Sequence, residues 1–468
     1  MVPFFPRQIA NQAIVIYAIS VILVSLIFFE YSMPYLYIVG GIVSVVGFFF
    51  LTSDFSIKWR RMPQRQYEYM LLGLAIGFRF VWLVGSYQYY MATTGIPFDK
   101  DAADALGYHV EAEWLSTGSW GEQLDYYFGS GSGVISDVGY PFYLTLLYRL
   151  VGPIIIIPRI IKVLLGAFTA FLIYKLSART FDENTGRMAG IMCALMPNFI
   201  IYCGYHLKEV EMIFLEVAFL ERMDYLLRVR KFKLWNILVP ILLAGSLFFF
   251  RTVLGLAAVF AFVSSVLFSA SPTMKKGWKR TAIIGWSLLA LIVATGGTAF
   301  TEVEEMWEAR SSNVESKRLE QESRGNQWAK YATGSVMAPM VVSLPFSTMI
   351  HIEGQEAQMT KHGGNFVRNF MAFFALLALF EAIRQKKWRD FALIGSFTFA
   401  YLGVISLSGF SNSERFLLPG LPGLIMMWAY GMSQLNAKSY RLLKPWSIII
   451  VFMQIGWAFF KIGSRGLL

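Results

Sequence analysis

Residues 98–113 read FDKDAADALGYHVEAE, and residues 139–152 read GYPFYLTLLYRLVG. The first segment is rich in carboxylates, whereas the second is apolar and leads into a long hydrophobic run. Another hydrophobic run precedes the acidic segment. Because long loops between hydrophobic runs usually carry function, we predict that residues 91–152 form a loop outside the membrane that contains the functional site.

The composition is that of a membrane protein. Hydrophobic residues make up 56% of the chain, charged residues make up only 15%, and the mean hydropathy is +0.52. A soluble domain carries about 25% charged residues. The net charge of +11 could indicate a nucleic-acid partner, but the Lys and Arg residues lie in short loops between apolar runs, where they orient a membrane protein. We therefore predict a multi-pass membrane protein that contacts membrane lipids and binds no nucleic acid.

The apolar runs predict an all-α fold with about thirteen transmembrane helices in a single integral membrane domain, residues 1–468. The predicted spans are 13–30, 34–51, 69–89, 160–176, 188–202, 210–226, 234–250, 253–268, 282–300, 369–383, 391–408, 416–432 and 446–460. A second long polar segment, residues 301–367, follows the ninth span. We expect both long loops to carry short amphipathic helices near the membrane surface.

Basic clusters between the spans predict the orientation of the chain. If the amino terminus, with Arg7, lies in the cytoplasm, every cluster falls on the cytoplasmic side and both long loops fall outside. The clusters lie at 58–65, 228–233, 275–280, 384–389 and 438–444. We therefore expect an odd number of spans, an active site on the outer face, and residence in the bacterial inner (cytoplasmic) membrane.

A short amphipathic helix is predicted from Asp101 to Trp114. Asp101, Asp104, Tyr108 and Glu111 recur at intervals of three or four residues, so they share one helical face. A carboxylate close to apolar walls holds a proton more tightly and can act as a general base. The alternative is a solvated acidic helix in which Asp101 or Asp104 merely caps the amino end.

Charged residues also collect at the predicted outer ends of the spans. Arg251 separates two apolar runs, Arg415 precedes another, and Lys208 and Glu209 begin the sixth span. Charged residues at membrane depth are functional candidates by default, and the guanidinium fork of Arg suits a phosphate. The alternative is a set of interfacial anchors that reach toward lipid headgroups.

The sequence offers little support for a metal centre or another cofactor. All four histidines, His109, His206, His351 and His362, map to the predicted outer side, which would fit a metal site or an acid–base site. However, no pair has the close helical spacing of a metal-binding motif. The two cysteines, Cys193 and Cys203, lie in or near one predicted span and form no zinc pattern.

The order of these features resembles that of a known family. A span is followed by an acidic DALGYH helix, and GYPFYLTLLY then leads into the next span. A late segment, SNSERFLLPGLP at residues 411–422, resembles the family's Arg-Phe-x-x-Pro segment. These residues are similar to the GT-C glycosyltransferases, in particular to protein mannosyltransferases and lipid A aminoarabinose transferases. The chain differs from them in two extra early spans and in DKDAAD where an Asp-Glu pair is usual.

The resemblance implies a membrane enzyme that takes a sugar from a polyprenyl-phosphate donor on the outer side. The acceptor would be a hydroxyl of a glycan, a lipid or a protein. The family's essential acid would be Asp104, with Asp101 as the competitor, because it stands just before the Tyr108–His109 step. Basic residues at span ends would bind the carrier phosphate, a role that fits Arg415, Arg251 and Lys208.

Two other functions fit the same pattern. A polysaccharide polymerase or ligase acting on polyprenyl-pyrophosphate glycans would also need outward-facing arginines and long outer loops. A transporter or flippase would place ionisable residues deep inside the spans and would show an internal repeat. Most charges lie at span ends and we find no repeat, so we favour an enzyme.

Overall fold

The computed structural model describes residues 2–100, 102–129, 137–228, 233–268, 340–407 and 413–463, with the isolated residues 285, 287, 316 and 319. Over these residues the chain is α-helical, and the only β-type pairing among them is a single bridge between Ser32 and Ile350. The predicted all-α class is confirmed for this part of the chain.

Most of the helices pack around one large hydrophobic core, and a smaller separate cluster lies between α4 and α6. In chain order they are α1 (Arg7–Ile27), α2 (Tyr35–Lys58), α3 (Gln64–Thr94), α4 (Ala103–Thr117), α5 (Trp120–Phe128), α6 (Gly139–Val151), α7 (Ile156–Thr180), α8 (Glu183–Leu195), α9 (Pro197–Cys203), α10 (Glu209–Arg228), α11 (Leu234–Phe250), α12 (Thr252–Phe268), α13 (Glu356–Arg384), α14 (Ala392–Leu407), α15 (Glu414–Leu417), α16 (Leu421–Ser433) and α17 (Ala437–Gly463).

Seven helical segments are long and apolar enough to cross a membrane, as expected of a multi-pass membrane protein. They are α1, α2, α3, α7, α13, α17 and the combined segment Glu414–Ser433, which contains α15 and α16. The pair α8–α9 is an eighth candidate, whereas α11, α12 and α14 are apolar but shorter. Every predicted span except 282–300, which lies outside the described residues, coincides with a helix, but seven or eight rather than thirteen meet the length and hydropathy criteria.

The predicted span 188–202 is a broken helix. α8 and α9 meet at Pro197 with a bend of 46°, because proline cannot continue the hydrogen-bond ladder and disfavours a helical residue before it. Arg79 of α3 fills the gap, since its guanidinium donates to the carbonyls of Ala194 (2.9 Å) and Cys193 (3.2 Å). The buried charge of Arg79 is thus stabilised by the carbonyl end of α8.

One set of helix ends forms a face that we call the basic face. The guanidinium of Arg187 donates to the carbonyls of Trp59, Arg60 and Met62, which joins α8 to the turn between α2 and α3. Arg179, at the end of α7, pairs with Glu221 (3.1 Å) and Asp224 (2.6 Å) near the end of α10. Next to these helix ends lie the predicted basic clusters 58–65 and 384–389 and the start of α17.

The opposite helix ends form a second face, which we call the site face. It contains the end of α3 and the starts of α7, α10 and α13. The backbone N–H of His351 donates to the Tyr31 carbonyl (2.7 Å), and Lys461 donates to the side chain of Gln355 (2.9 Å). These bonds hold the far ends of α1 and α17 at the same face.

The described part of the first long loop, residues 91–152, contains three helices at this face. The predicted helix 101–114 is present as α4, which packs on α6 through Ala112, Tyr140, Leu144 and Tyr148. α5 begins at a capping box between Ser119 and Glu122, a strong helix-start signal. α13 begins at Glu356 rather than near residue 369, so the end of the predicted loop 301–367 is helical and largely buried.

Candidate functional site

Three charged residues from distant parts of the chain meet at the site face. The Arg415 guanidinium donates from Nε to Oε1 of Glu209 and from Nη1 to Oδ2 of Asp104. Asp104 lies in the first turn of α4, and Glu209 begins α10. Carboxylates are favourable at helix amino termini, where the unpaired N–H groups carry partial positive charge. Arg415 therefore joins two helix starts that the sequence pattern assigned to the same side of the membrane.

The two carboxylates differ in exposure. The Asp104 side chain is 61% exposed, the Glu209 side chain is fully buried, and the Arg415 side chain is 19% exposed. Within the described residues, the second oxygen of Glu209, Oε2, has no hydrogen-bond partner. Glu209 is thus the fixed partner of Arg415, because separating the two would leave a buried charge. Asp104 is the more exposed partner, so its contact with Arg415 costs less to break.

A second ion pair lies beside the first. The buried ammonium of Lys208 pairs with the exposed carboxylate of Asp137, which stands just before α6. Asp137 adopts a left-handed backbone conformation (φ 69°), which aspartate tolerates better than most residues. Burial lowers the pKa of Lys208, and the negative charge of Asp137 opposes that shift.

Arg251 is the third cation of the site. It stands between α11 and α12, donates to the Tyr401 hydroxyl (3.4 Å), and lies 4.6 Å from the centre of the Phe416 ring. Arg251 is buried, and no carboxylate of the described chain lies within ion-pair distance of it. Of the three cations, Arg251 is therefore the one without an ion-pair partner among the described residues.

These residues form a charge-balanced group that we call the ion cluster: Asp104, Asp137, Lys208, Glu209, Arg251 and Arg415. Tyr108, one turn after Asp104, lies next to it and packs edge-on against Tyr140 with ring centres 5.2 Å apart. Burial raises the pKa of Tyr108 to about 12, so its hydroxyl stays protonated and can donate a hydrogen bond. Three cations thus lie together with three carboxylates, and two of the cations, Lys208 and Arg415, are already paired.

His109 joins a different group. Its Nδ1 lies 2.9 Å from the Tyr148 hydroxyl, which in turn lies 3.2 Å from Nε2 of His206. Since the hydroxyl has a single proton, it donates to one imidazole and accepts from the other. Burial lowers the pKa of both histidines, so both rings are neutral at pH 7. Within the described chain no group of three or more His, Cys, Asp or Glu residues could hold a metal ion.

The structure thus brings together five of the predicted substrate-binding and catalytic residues and places Tyr108 beside them. The five are Asp104, Lys208, Glu209, Arg251 and Arg415. Asp101 lies outside the described residues. Sequence reasoning missed Asp137, although a lone carboxylate two residues before the GYPF segment was a usable signal. It also missed Tyr401, a span tyrosine that nothing in the sequence separates from its neighbours.

No family model matches this chain, and no curated protein matches it. The resemblance to the GT-C glycosyltransferases therefore rests on the sequence motifs and their order.

Proposed function

We propose that this protein is a GT-C type membrane glycosyltransferase that moves a sugar from a polyprenyl-phosphate donor to a hydroxyl of a glycan, lipid or protein. The observation that carries the proposal is the contact between Asp104 and Arg415, which are 311 residues apart in sequence. These residues belong to the two motifs that resemble the family. Their contact joins a carboxylate suited to accept a proton with a guanidinium suited to bind a phosphate.

The placement of the site supports an outer-face reaction. The ion cluster lies at the site face, whereas the basic clusters 58–65, 384–389 and 438–444 adjoin the opposite face. If the basic face is cytoplasmic, as positively charged loops favour, the ion cluster opens to the outer side. A polyprenyl-phosphate sugar presented in the outer leaflet would then reach Arg415 and Arg251 with its phosphate at headgroup depth.

We infer thirteen membrane crossings from the same two faces. Phe268, at the end of α12, packs against Trp388 (5.8 Å between ring centres) near the basic face. Glu356, at the start of α13, lies 3.8 Å from Lys100 at the site face. The described residues that flank the predicted ninth span thus lie at opposite faces, which supports a crossing by that span. Counting one crossing for the predicted ninth span, one for α8–α9, and one each for α10, α11, α12 and α14 in addition to the seven long segments gives thirteen.

The reaction begins with an exchange of partners at Arg415. The donor phosphate competes with Asp104 for the guanidinium, while buried Glu209 stays bound to Nε. Asp104 loses its cationic partner, and a carboxylate freed from a cation is a stronger base. Binding of the donor thus releases the base beside the bond that will break.

Bond formation and cleavage then occur in one displacement. The acceptor oxygen attacks the anomeric carbon, its proton passes to the Asp104 carboxylate, and the bond between the anomeric carbon and the phosphate oxygen breaks. The bonding electrons leave with the lipid phosphate, whose added charge Arg415 and Arg251 stabilise. A single displacement inverts the anomeric centre. Lys208, which is paired with Asp137, adds a positive charge beside the bound phosphate.

The proposal is tested with purified protein in lipid nanodiscs and a panel of polyprenyl-phosphate and polyprenyl-pyrophosphate sugars. Mass spectrometry would follow release of the free carrier in the presence of a membrane acceptor extract. We expect release from a monophosphate donor by the wild type, loss of release in Asp104→Asn, and retained release in Asp125→Asn, which changes an exposed carboxylate on α5.

Other outcomes would contradict the proposal. Release from pyrophosphate-linked glycans alone would identify a polymerase or ligase. No release from any donor, together with lipid flipping or uptake in proteoliposomes, would identify a transporter. Full turnover by Asp104→Asn would refute the assigned base.

A further inference from the structure

The residue that precedes Arg415 points into a second polar group. The Glu414 side chain is 8% exposed and lies on the other side of the turn from the ion cluster. Its Oε1 accepts a hydrogen bond from the Asn198 amide, and its Oε2 lies 3.0 Å from the ammonium of Lys361. Lys361 is itself only 13% exposed. A buried carboxylate is costly to separate from an ammonium partner that is largely shielded from solvent, so this pair holds the turn in place.

One face of α13 supplies the rest of this group. Lys361, Asn365 and Arg368 follow each other at intervals of four and three residues, so they point the same way. Asn365 accepts a hydrogen bond from the Asn198 amide (3.0 Å), and Arg368 donates to the Leu417 carbonyl (3.4 Å). Gly364 permits this approach, because a Cβ there would lie 1.7 Å from Oδ1 of Asn198.

The opposite side of the turn is held as well. The Tyr401 hydroxyl donates to the Phe416 carbonyl (2.9 Å) and accepts from Arg251. Residues 413–417 are therefore held by contacts with α13 and α9 on one side and by the hydrogen bond from Tyr401 of α14 on the other. Only the Arg415 side chain reaches from this segment toward Asp104 and Glu209.

We propose that Lys361, assisted by Asn198, is a positioning residue that acts through Glu414 to aim Arg415 at Asp104 and Glu209. The role of Arg415 itself rests on the proposed function, but the aiming of its segment does not. Lys361 touches neither the donor nor the acceptor in this account. It sets the geometry in which the guanidinium can exchange Asp104 for a phosphate.

The first test needs no substrate. Cysteines replace Asp104 and Arg415, and a short bis-methanethiosulfonate reagent cross-links them in ligand-free protein. The native Cys193 and Cys203 are fully buried and should not react. We expect Lys361→Met to slow the cross-link about tenfold, a typical coupling within one polar network. Lys361→Arg should restore the rate, and Lys100→Met, which changes an exposed lysine at the same face, should leave it unchanged.

A milder variant keeps the test usable if Lys361→Met does not fold. Asn198→Ser removes the amide bond to Glu414 without leaving an uncompensated charge, and it should slow the cross-link in the same direction. An unchanged rate in Lys361→Met, or in Asn198→Ser where Lys361→Met does not fold, would overturn the proposal. This result is independent of any glycosyl transfer.

A double-mutant cycle on the donor KM then distinguishes a positioning role of Lys361 from a general effect on stability. If Lys361 acts through Arg415, Lys361→Met should raise the donor KM about tenfold in the wild type but change it little in an Arg415→Lys background. Additive effects would assign Lys361 a merely structural role. Failure of the wild type to use any donor would refute the proposed function, while the cross-linking result would still decide whether Lys361 aims the segment.

Discussion

At the scale of single residues, the site depends on one guanidinium shared by two carboxylates of unequal exposure. Glu209 is buried and holds Arg415 in place, whereas Asp104 is open to solvent and can be exchanged. In the proposed reaction, the donor phosphate takes the place of Asp104 at the guanidinium. Glu209 would then set the geometry of Arg415, and Asp104 would take part in the chemistry.

Replacing Arg415 by lysine should test whether Arg415 acts in donor binding rather than in folding. A lysine keeps the charge but cannot hold Glu209 and a phosphate through two arms of a planar fork. We expect the donor kcat/KM to fall about 30-fold, equivalent to ~2 kcal/mol, with little change in the thermal midpoint. Steady-state carrier release and a melting curve of the same sample would measure both. A fall in the midpoint that matches the loss of activity would indicate a structural role instead.

The buried histidine group predicts a pH dependence of stability. The pKa of His206 is lowered by burial, so in acid the unfolded chain binds a proton that the folded chain resists. Stability should therefore be fully present above the ordinary histidine pKa of about 6.5 and should fall below it, by at most ~1.4 kcal/mol per pH unit for this group.

Thermal unfolding of wild type and His206→Gln from pH 8 to pH 5 would measure this effect. The variant has no imidazole at position 206, so its midpoint should fall less steeply as the pH is lowered. Identical slopes in the two proteins would show that other groups, and not His206, set the acid sensitivity.

At the scale of helices, the broken segment α8–α9 depends on Arg79. Arg79→Leu should leave the carbonyls of Cys193 and Ala194 without donors in a buried position. We expect a loss of about 2 kcal/mol or more in the free energy of unfolding. Arg65→Leu, at an exposed position on the same helix, is the matched control. Equal stability of the two variants in chemical denaturation would contradict the assigned role of Arg79.

Several elements could be predicted from sequence because their signals are local. The acidic spacing around Asp104 indicated α4, and Pro197 marked the break that the predicted straight span overlooked. The start of α13 could not be predicted, because its polar residues resemble a solvated loop. Lys361 and Asn365 are instead buried against partners far away in sequence. The hydropathy of a segment shows that its side chains are polar. It does not show whether partners far away in sequence form hydrogen bonds with those side chains when they are buried.

The candidate site shows the same limit. Charges at span ends indicated Lys208, Glu209, Arg251 and Arg415, and orientation placed them on one side. Which of them touch could not be read from the chain, since the pairing of Arg415 with Asp104 depends on how α4 packs on α6 and how α15 is held.

At the scale of the whole molecule, the two faces predict opposite accessibility. Single cysteines in place of Asp125 and Lys438 lie at the site face and the basic face, both in exposed positions. A membrane-impermeant maleimide added to intact spheroplasts should label the first and not the second, because positively charged loops remain in the cytoplasm. Labelling of the Lys438 position alone would invert the orientation and remove an outer-face reaction.

The most direct test of the central claim is a double-mutant cycle on carrier release by wild type, Asp104→Asn, Arg415→Lys and the double variant. If donor binding frees Asp104 from Arg415, the two residues act as one unit, and the double variant should be hardly slower than the slower single variant. Multiplicative losses would show that they act independently. That result would contradict an account in which one guanidinium links donor binding to proton transfer.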